Sequence, residues 1–197
     1  MLDIQFPVFP VLQSSRCVLR QVVKTDAPQL LALRSDAAVM QYLDREAMTT
    51  VDEAGVMIDS MDSRLATGEG ISWAISLIDS NEMIGLAGLW RIIKEHHRAE
   101  IGYTLLPAHW NKGLMSEVLQ SIIDFGFRSM KLHSIEANVN PSNAASIRLL
   151  EKLGFEREAY FRENYYFRGR FLDSAIYSLV TREAGGSLPA GRQVSDE

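Results

Sequence analysis

The sequence predicts one α/β domain of the α+β type, a mixed and mostly antiparallel sheet flanked by helices. Three observations predict it. The 197 residues are 47% apolar and 23% charged, enough for one domain with a full core. Strand-like and helix-like patterns alternate along the chain in the order β-α-α-β-β-β-α-β-α-β-β. An antiparallel meander stands in front of a β-α-β stretch, which implies a crossover connection.

Taken in order, the residues before about Ser14, with Pro7 and Pro10, read as an irregular lead-in. Arg16 to Val23 is rich in Val and Leu and reads as a strand. Asp26 opens a helix as its N-cap, with Pro28 in the first turn. Thr50, with Glu53 three residues on, forms a capping-box pattern for a helix over Val51 to Ala66. Ile71 to Ile78 and Met83 to Ile93 are strands joined by the polar turn Asp79-Ser80-Asn81-Glu82. Arg98 to Leu106 is a third strand, ended by Pro107. Met115, Val118, Leu119, Ile122, Ile123 and Phe127 recur at helical spacing and give one broad apolar face. Ser134 to Val139 is a strand, and Ser142 to Leu153 a helix closed by Gly154. Phe155 to Val180 forms two strands turned at Arg168-Gly169-Arg170. The Gly- and Pro-containing tail over 184–197 reads as disordered, leaving a domain over 14–182.

The net charge of −5 argues against nucleic acid as a partner, since a nucleic-acid binder carries a basic field. No run of about 18 apolar residues is present to span a membrane. The start, Met1-Leu2-Asp3-Ile4, has no basic, signal-like character. The single cysteine, Cys17, excludes an internal disulfide and reads as a small buried hydrophobe; together these features predict a cytoplasmic protein. His96-His97 is an adjacent pair without carboxylates or cysteines around it, so no metal site is expected. His109 and His133 read as structural or exposed. Trp73 and Trp90 fall on central strands, where core packing is the default. The aromatic and basic run from Tyr160 to Arg168 suits either an acceptor cleft or a dimer contact.

The informative segment runs from Glu100 to Glu117. A strand ends, a glycine-containing turn follows at Trp110-Asn111-Lys112-Gly113, and a long helix begins. A helix start presents unpaired N–H groups and a positive dipole end, a ready site for a pyrophosphate. No P-loop and no G-x-G-x-x-G after a strand is present, which argues against ATP or a dinucleotide.

These residues resemble the GNAT acetyltransferases. Trp110-Asn111-Lys112-Gly113-Leu114-Met115 is similar to the family's cofactor motif, Arg/Gln-x-x-Gly-x-Gly/Ala, with Trp first and Met last as in the RimJ/RimL-like branch. Asn138-Val139-Asn140-Pro141-Ser142-Asn143, followed by Ser146 and by Glu151-Lys152-Leu153-Gly154-Phe155, resembles its second signature. The resemblance implies the GNAT fold and acetyl-CoA as cosubstrate, with no metal. It implies that backbone N–H groups from Lys112 through Gly113, Leu114, Met115 and Ser116 to Val118 hold the pyrophosphate. It further implies that Tyr103, Thr104 and Leu105 pair with the pantetheine arm, and that Asn138 and Asn143 lie at the cofactor. Asn143 could also be a plain helix cap, but Ser142 is available for that role.

Acetylating an amine requires a base for the ammonium proton, donors for the oxyanion and a proton for the departing thiolate. Glu100 is the candidate base. Strand alternation sets Glu100, Gly102 and Thr104 on one face and Ile101, Tyr103 and Leu105 on the other. The plain alternative for Glu100 is an exposed strand charge paired with Arg98 or Lys94. The tyrosine that many members use as acid is replaced by Leu150, and Ser146 stands where the branch offers a serine. For Ser146 the alternative is a hydroxyl bonded back to a helix carbonyl.

The expected activity is transfer of acetyl from acetyl-CoA to an amine by direct attack, with a protein N-terminal α-amine of the ribosomal-protein type as first choice of acceptor. Small-molecule amines (antibiotics, amino acids, polyamines) and a non-catalytic acyl-CoA-binding protein are the rivals. A homodimer rests on the resemblance alone.

Overall fold

The computed structural model describes residues 2 and 4–181, so the tail expected to be disordered lies outside the described residues. Eight strands form one sheet: β1 (Leu12–Gln13), β2 (Cys17–Gln21), β3 (Ile71–Leu77), β4 (Gly85–Ile93), β5 (Arg98–Leu105), β6 (Ser134–Val139), β7 (Glu156–Phe167) and β8 (Arg170–Val180). Their spatial order is β1-β2-β3-β4-β5-β6-β8-β7. Every neighbouring pair is antiparallel except β5 and β6, which run parallel. The helices are α1 (Ala27–Ser35), α2 (Ala37–Met40), α3 (Val51–Thr67), α4 (Leu114–Arg128) and α5 (Ala144–Lys152).

Each face of the sheet carries its own core. On one, Val118, Leu119 and Ile122 of α4 and Leu150 of α5 pack on Trp73, Leu89, Ile101 and Ile135. On the other, Leu30 and Leu33 of α1 and Ile58 and Met61 of α3 pack on Ala74 and Leu86. Each fully buried aliphatic side chain contributes about 1.5–3 kcal/mol. Together they fix α4 and α1 on opposite sides of the same central strands.

Local signals behave largely as expected. The Thr50 hydroxyl accepts from Glu53 N (3.2 Å), and Gly68 closes α3 at φ 67°. The reciprocal arm of the capping box is displaced by one residue, because the Glu53 carboxylate accepts from Thr49 N and Thr49 Oγ1. Asp26 precedes α1, but its carboxylate makes no cap to that helix. It is buried, accepts from Val23 N and takes two hydrogen bonds from the Arg20 guanidinium, so ion pairing outcompetes capping. The lead-in is packed rather than loose: Leu2 and Ile4 are buried, the Pro10 carbonyl accepts from Trp73 Nε1, and β1 pairs with β2. Cys17 is fully buried and its thiol pKa is pushed up by that burial.

Candidate active site

The site is made by a split in the middle of the sheet. Strands β5 and β6 pair only over Arg98–Ser134, Ala99–Ile135 and Glu100–Glu136, although β5 continues to Leu105 and β6 to Val139. Beyond Glu100 they part, and a cleft of about 840 Å³ opens between them. Leu106 N donates to Ile84 O, so even-numbered β5 residues turn their backbone groups to β4 and odd-numbered ones face the split. The Ile101 N–H is taken up by the last rung of the β5–β6 pairing, so its C=O and both backbone groups of Tyr103 face the cleft, while the Leu105 carbonyl accepts from Trp110 Nε1 (2.6 Å). That open edge can pair with an extended ligand as a further strand would.

At the far end of the split α4 begins. Asn111 (φ 58°) and Gly113 (φ 76°) are both left-handed, a sharp reversal that swings the helix start toward the cleft. Gly113 is the N-cap and offers no side-chain cap, so the N–H groups of Leu114, Met115 and Ser116 stay open to an anion. Gly113, Leu114, Met115 and Ser116 line the cleft, but Lys112 does not, and Glu117 N is already taken by Gly113 O. The turn is braced from outside. Arg16 donates from Nη2 to the Lys112 carbonyl (2.8 Å) and from Nε to the Glu117 carboxylate (2.8 Å). Arg16→Ala is expected to raise the KM for acetyl-CoA about tenfold, near 1.4 kcal/mol, with kcat and Tm little changed. Initial rates against acetyl-CoA concentration check this.

Glu100 sits at the fork, where pairing ends. Its side chain is 14% exposed and pairs with Arg91 (Nη1 to Oε2, 3.0 Å). The expected alternative partners are engaged elsewhere: Arg98 pairs with Glu136, and Lys94 Nζ donates to Thr67 O. Arg91 comes into range because β4 bulges between Trp90 and Ile93, with Arg91 at φ 46°. Burial raises the Glu100 carboxyl pKa, the Arg91 guanidinium draws it back down, and Glu136 adds to the rise. A carboxylate held above its ordinary range is a stronger base than one in water.

Across the split, Ser146 of α5 shares a hydrogen bond with the Tyr103 hydroxyl (2.7 Å), so it is not bonded back into its own helix. Burial pushes the Tyr103 hydroxyl up to about 12, the Ser146 hydrogen bond opposing it, so this pair keeps its protons at neutral pH. Asn143 proves to be the cap of α5, with Oδ1 accepting from Ser146 N (3.1 Å); Ser142 instead donates its N–H to Asn140 Oδ1. The cap role occupies only the Asn143 oxygen, and Asn143 lines the cleft together with Asn138, Ser146 and Thr104. Leu150 is fully buried in the core and lies off the cleft wall.

Trp90 departs from the expected core role. It lines the cleft under the guanidinium groups of Arg91 (5.2 Å) and Arg45 (5.9 Å). Its Nε1 and the Thr104 hydroxyl are buried with no hydrogen-bond partner among the described residues, which suits a cleft that receives a polar ligand. From the aromatic hairpin, Asn164 and Tyr165 reach the cleft, and the Tyr165 hydroxyl donates to the Asp44 carbonyl. Tyr166 and Phe171 remain exposed. Among the described residues no group of three or more His, Cys, Asp or Glu side chains could hold a metal ion. Nor is any helix long and apolar enough to cross a membrane.

A split sheet, an uncapped helix start at one end of the split and a half-buried carboxylate at the other describe a group-transfer enzyme with an extended, phosphate-bearing donor. The comparisons agree. Residues 16–156 match the acetyltransferase (GNAT) domain. The chain is 37% identical over 173 residues to the uncharacterized N-acetyltransferase YoaA of Bacillus subtilis (strain 168), covering 88% of this chain and 98% of that protein. It is 34% identical over 104 residues to the [ribosomal protein uS5]-alanine N-acetyltransferase of Escherichia coli (strain K12), 52% of this chain and 54% of that one. The crystal structure of a GNAT-family acetyltransferase from Bacillus anthracis superposes with a TM-score of 0.77 at 28% identity, covering 87% of this chain and 98% of that one. The chain belongs to the GNAT acetyltransferases. It is an N-acetyltransferase that uses acetyl-CoA as its cosubstrate.

Proposed function

We propose that the protein acetylates a protein N-terminal α-amine, with Glu100 as base and the Tyr103–Ser146 pair as proton source. The observation that carries the reading is Glu100 itself, half-buried at the fork with an elevated pKa. Bound acetyl-CoA supplies an acetyl thioester, whose carbonyl carbon takes the amine and whose thiol departs. Glu100 accepts the ammonium proton, directly or through a water, and so frees the lone pair. The Tyr103 N–H at the open edge of β5 donates to the carbonyl oxygen as negative charge builds there. The hydroxyl pair gives a proton to the leaving sulfur. The N–H groups of Gly113, Leu114, Met115 and Ser116 hold the pyrophosphate, and Thr104, Leu105, Asn138 and Asn143 line the path of the pantetheine arm.

Two considerations favour an α-amine. At about pH 7.5 roughly a third of an N-terminal α-amine is already neutral, against about one part in a thousand of a lysine, so a carboxylate base is adequate for the former. The partial relative from Escherichia coli is named for an N-terminal alanine. The reaction calls for no disulfide and no membrane, and we place it in the cytoplasm. The test is free-thiol release from acetyl-CoA with peptides bearing Ser, Ala or Met N-termini, a polyamine, amino acids and an aminoglycoside. Turnover is expected with a peptide. Turnover with small amines alone would overturn the α-amine assignment.

A further inference from the structure

Arg34, in the last turn of α1, is 8% exposed and lines the cleft, where the apolar side chains of Met57, Met61 and Leu86 also lie. Its Nε is buried with no hydrogen-bond partner, and no ion pair among the described residues includes it. A buried charge without a partner is unfavourable by several kcal/mol, and folded proteins ordinarily pair or neutralise it. The other buried charge among the described residues, Asp26, is held by Arg20. Burial, and after it the charge of Arg45, lower the Arg34 pKa to about 10. Arg34 and Arg45 both line the cleft.

The carboxylates that could answer them are engaged. Asp44 accepts from Asn140, Glu46 pairs with Arg168, and Glu100 pairs with Arg91. None of them pairs with Arg34, which leaves a place for an anion supplied by a ligand. Arg45 also lies near the base: its guanidinium stands over the Trp90 ring (5.9 Å), and Trp90 pairs with Glu100 across β4 and β5. The pyrophosphate cradle is the start of α4, which packs on the opposite face of the sheet from α1 and α3. The slot belongs to the acceptor side.

We infer that Arg34 and Arg45 form a carboxylate-binding site that selects acceptors carrying an anionic group close to the reactive amine. The inference rests on the transferase reading of the cleft and adds the acceptor's chemical class. The carboxylate can be an acidic side chain in the first residues of a peptide or the α-carboxylate of a free amino acid. Polyamines are disfavoured, because both guanidinium groups repel them.

The full chain saturated with CoA is titrated calorimetrically with two matched pairs: peptides beginning Ser-Asp and Ser-Asn, and serine with serinamide. In at least one pair the carboxylate member is expected to bind about tenfold tighter. Arg34→Met is expected to bring that ratio close to one, and Arg34→Lys to keep part of it. A merely structural arginine would lower Tm when replaced by Met, whereas removal of an unpaired buried charge is expected to leave Tm equal or higher. Equal binding within both pairs by the wild type, or an undiminished ratio in Arg34→Met, overturns the inference. Acetylation of the same compounds is read separately. If serine is acetylated and neither peptide is, the α-amine assignment to proteins falls while the carboxylate site stands.

Discussion

Glu100→Gln is expected to lower kcat/KM for the amine by about 100-fold or more across roughly pH 6 to 9, with no loss of stability. The isostere keeps the shape of the side chain at the fork but cannot accept the ammonium proton. Because burial holds the Glu100 carboxyl above its ordinary 4.5, the acid limb of the wild-type profile should lie above that value. Arg91→Met removes the main opposing influence and should move the limb to still higher pH. The stability consequence has the opposite sense. With its folded pKa raised, the protonated carboxyl contributes stability that is fully present below 4.5 and is lost as pH rises through the folded value. At pH 8 the wild type therefore carries a partly desolvated charge that the Gln variant lacks, and the variant's Tm should be equal or higher. Rate profiles and thermal melts of the two proteins check both halves. An unchanged rate over the whole pH range would remove Glu100 from the mechanism.

Gly88→Ala is expected to be the opposite kind of variant, costly to the fold rather than to the chemistry. Gly88 of β4 lies in register between Ser72 of β3 and Gly102 of β5. A Cβ there would drive into the Ile71 carbonyl oxygen and approach Ser72 Cα to 3.0 Å, both backbone atoms that cannot step aside. The two strands must separate locally, at about 3 kcal/mol, the upper part of the range for overpacking. That is a large share of the 5–15 kcal/mol that holds a domain together and corresponds to a Tm lower by roughly 6–12 °C. Its neighbour is the control. A Cβ on Gly102 meets nothing closer than Trp90 Nε1 at 3.7 Å, so Gly102→Ala should melt like the wild type. Together the two glycines leave a bare strip on the cleft floor, and only one of them is there because the backbone demands it.

The difference between what the chain discloses and what it conceals is a difference of range. The apolar spacing of α4, the Thr50 cap, the turn at Arg168-Gly169 and the glycine before α4 are local, set within one or two turns of chain, and the structure carries all of them. The partner of Glu100 is not local. The sequence points to Arg98 or Lys94 because they are near along the chain, whereas the β4 bulge delivers Arg91 across the strand. Trp90 looks like core on an apolar strand until the bulge and the split turn its face into a cleft. Asn143 and Ser142 stand side by side as candidate caps, and only the backbone path decides for Asn143. Arg34 carries no sequence signal at all, since one arginine at the end of a short helix reads as solvated. Its burial follows from the packing of α1, α2 and α3.

Pairing between β5 and β6 stops after three residues, and this has a consequence for motion. The middle of a sheet is ordinarily its slowest region to exchange amide hydrogens, because opening it means unfolding the domain. Here the Tyr103 and Leu105 amides, on the fifth of eight strands, have no neighbouring strand to shield them, while Gly102 and Thr104 face β4. Protection should therefore alternate residue by residue along one central strand. The unshielded amides become slow only when a ligand takes the place of the missing strand, so this sheet is closed by its substrate.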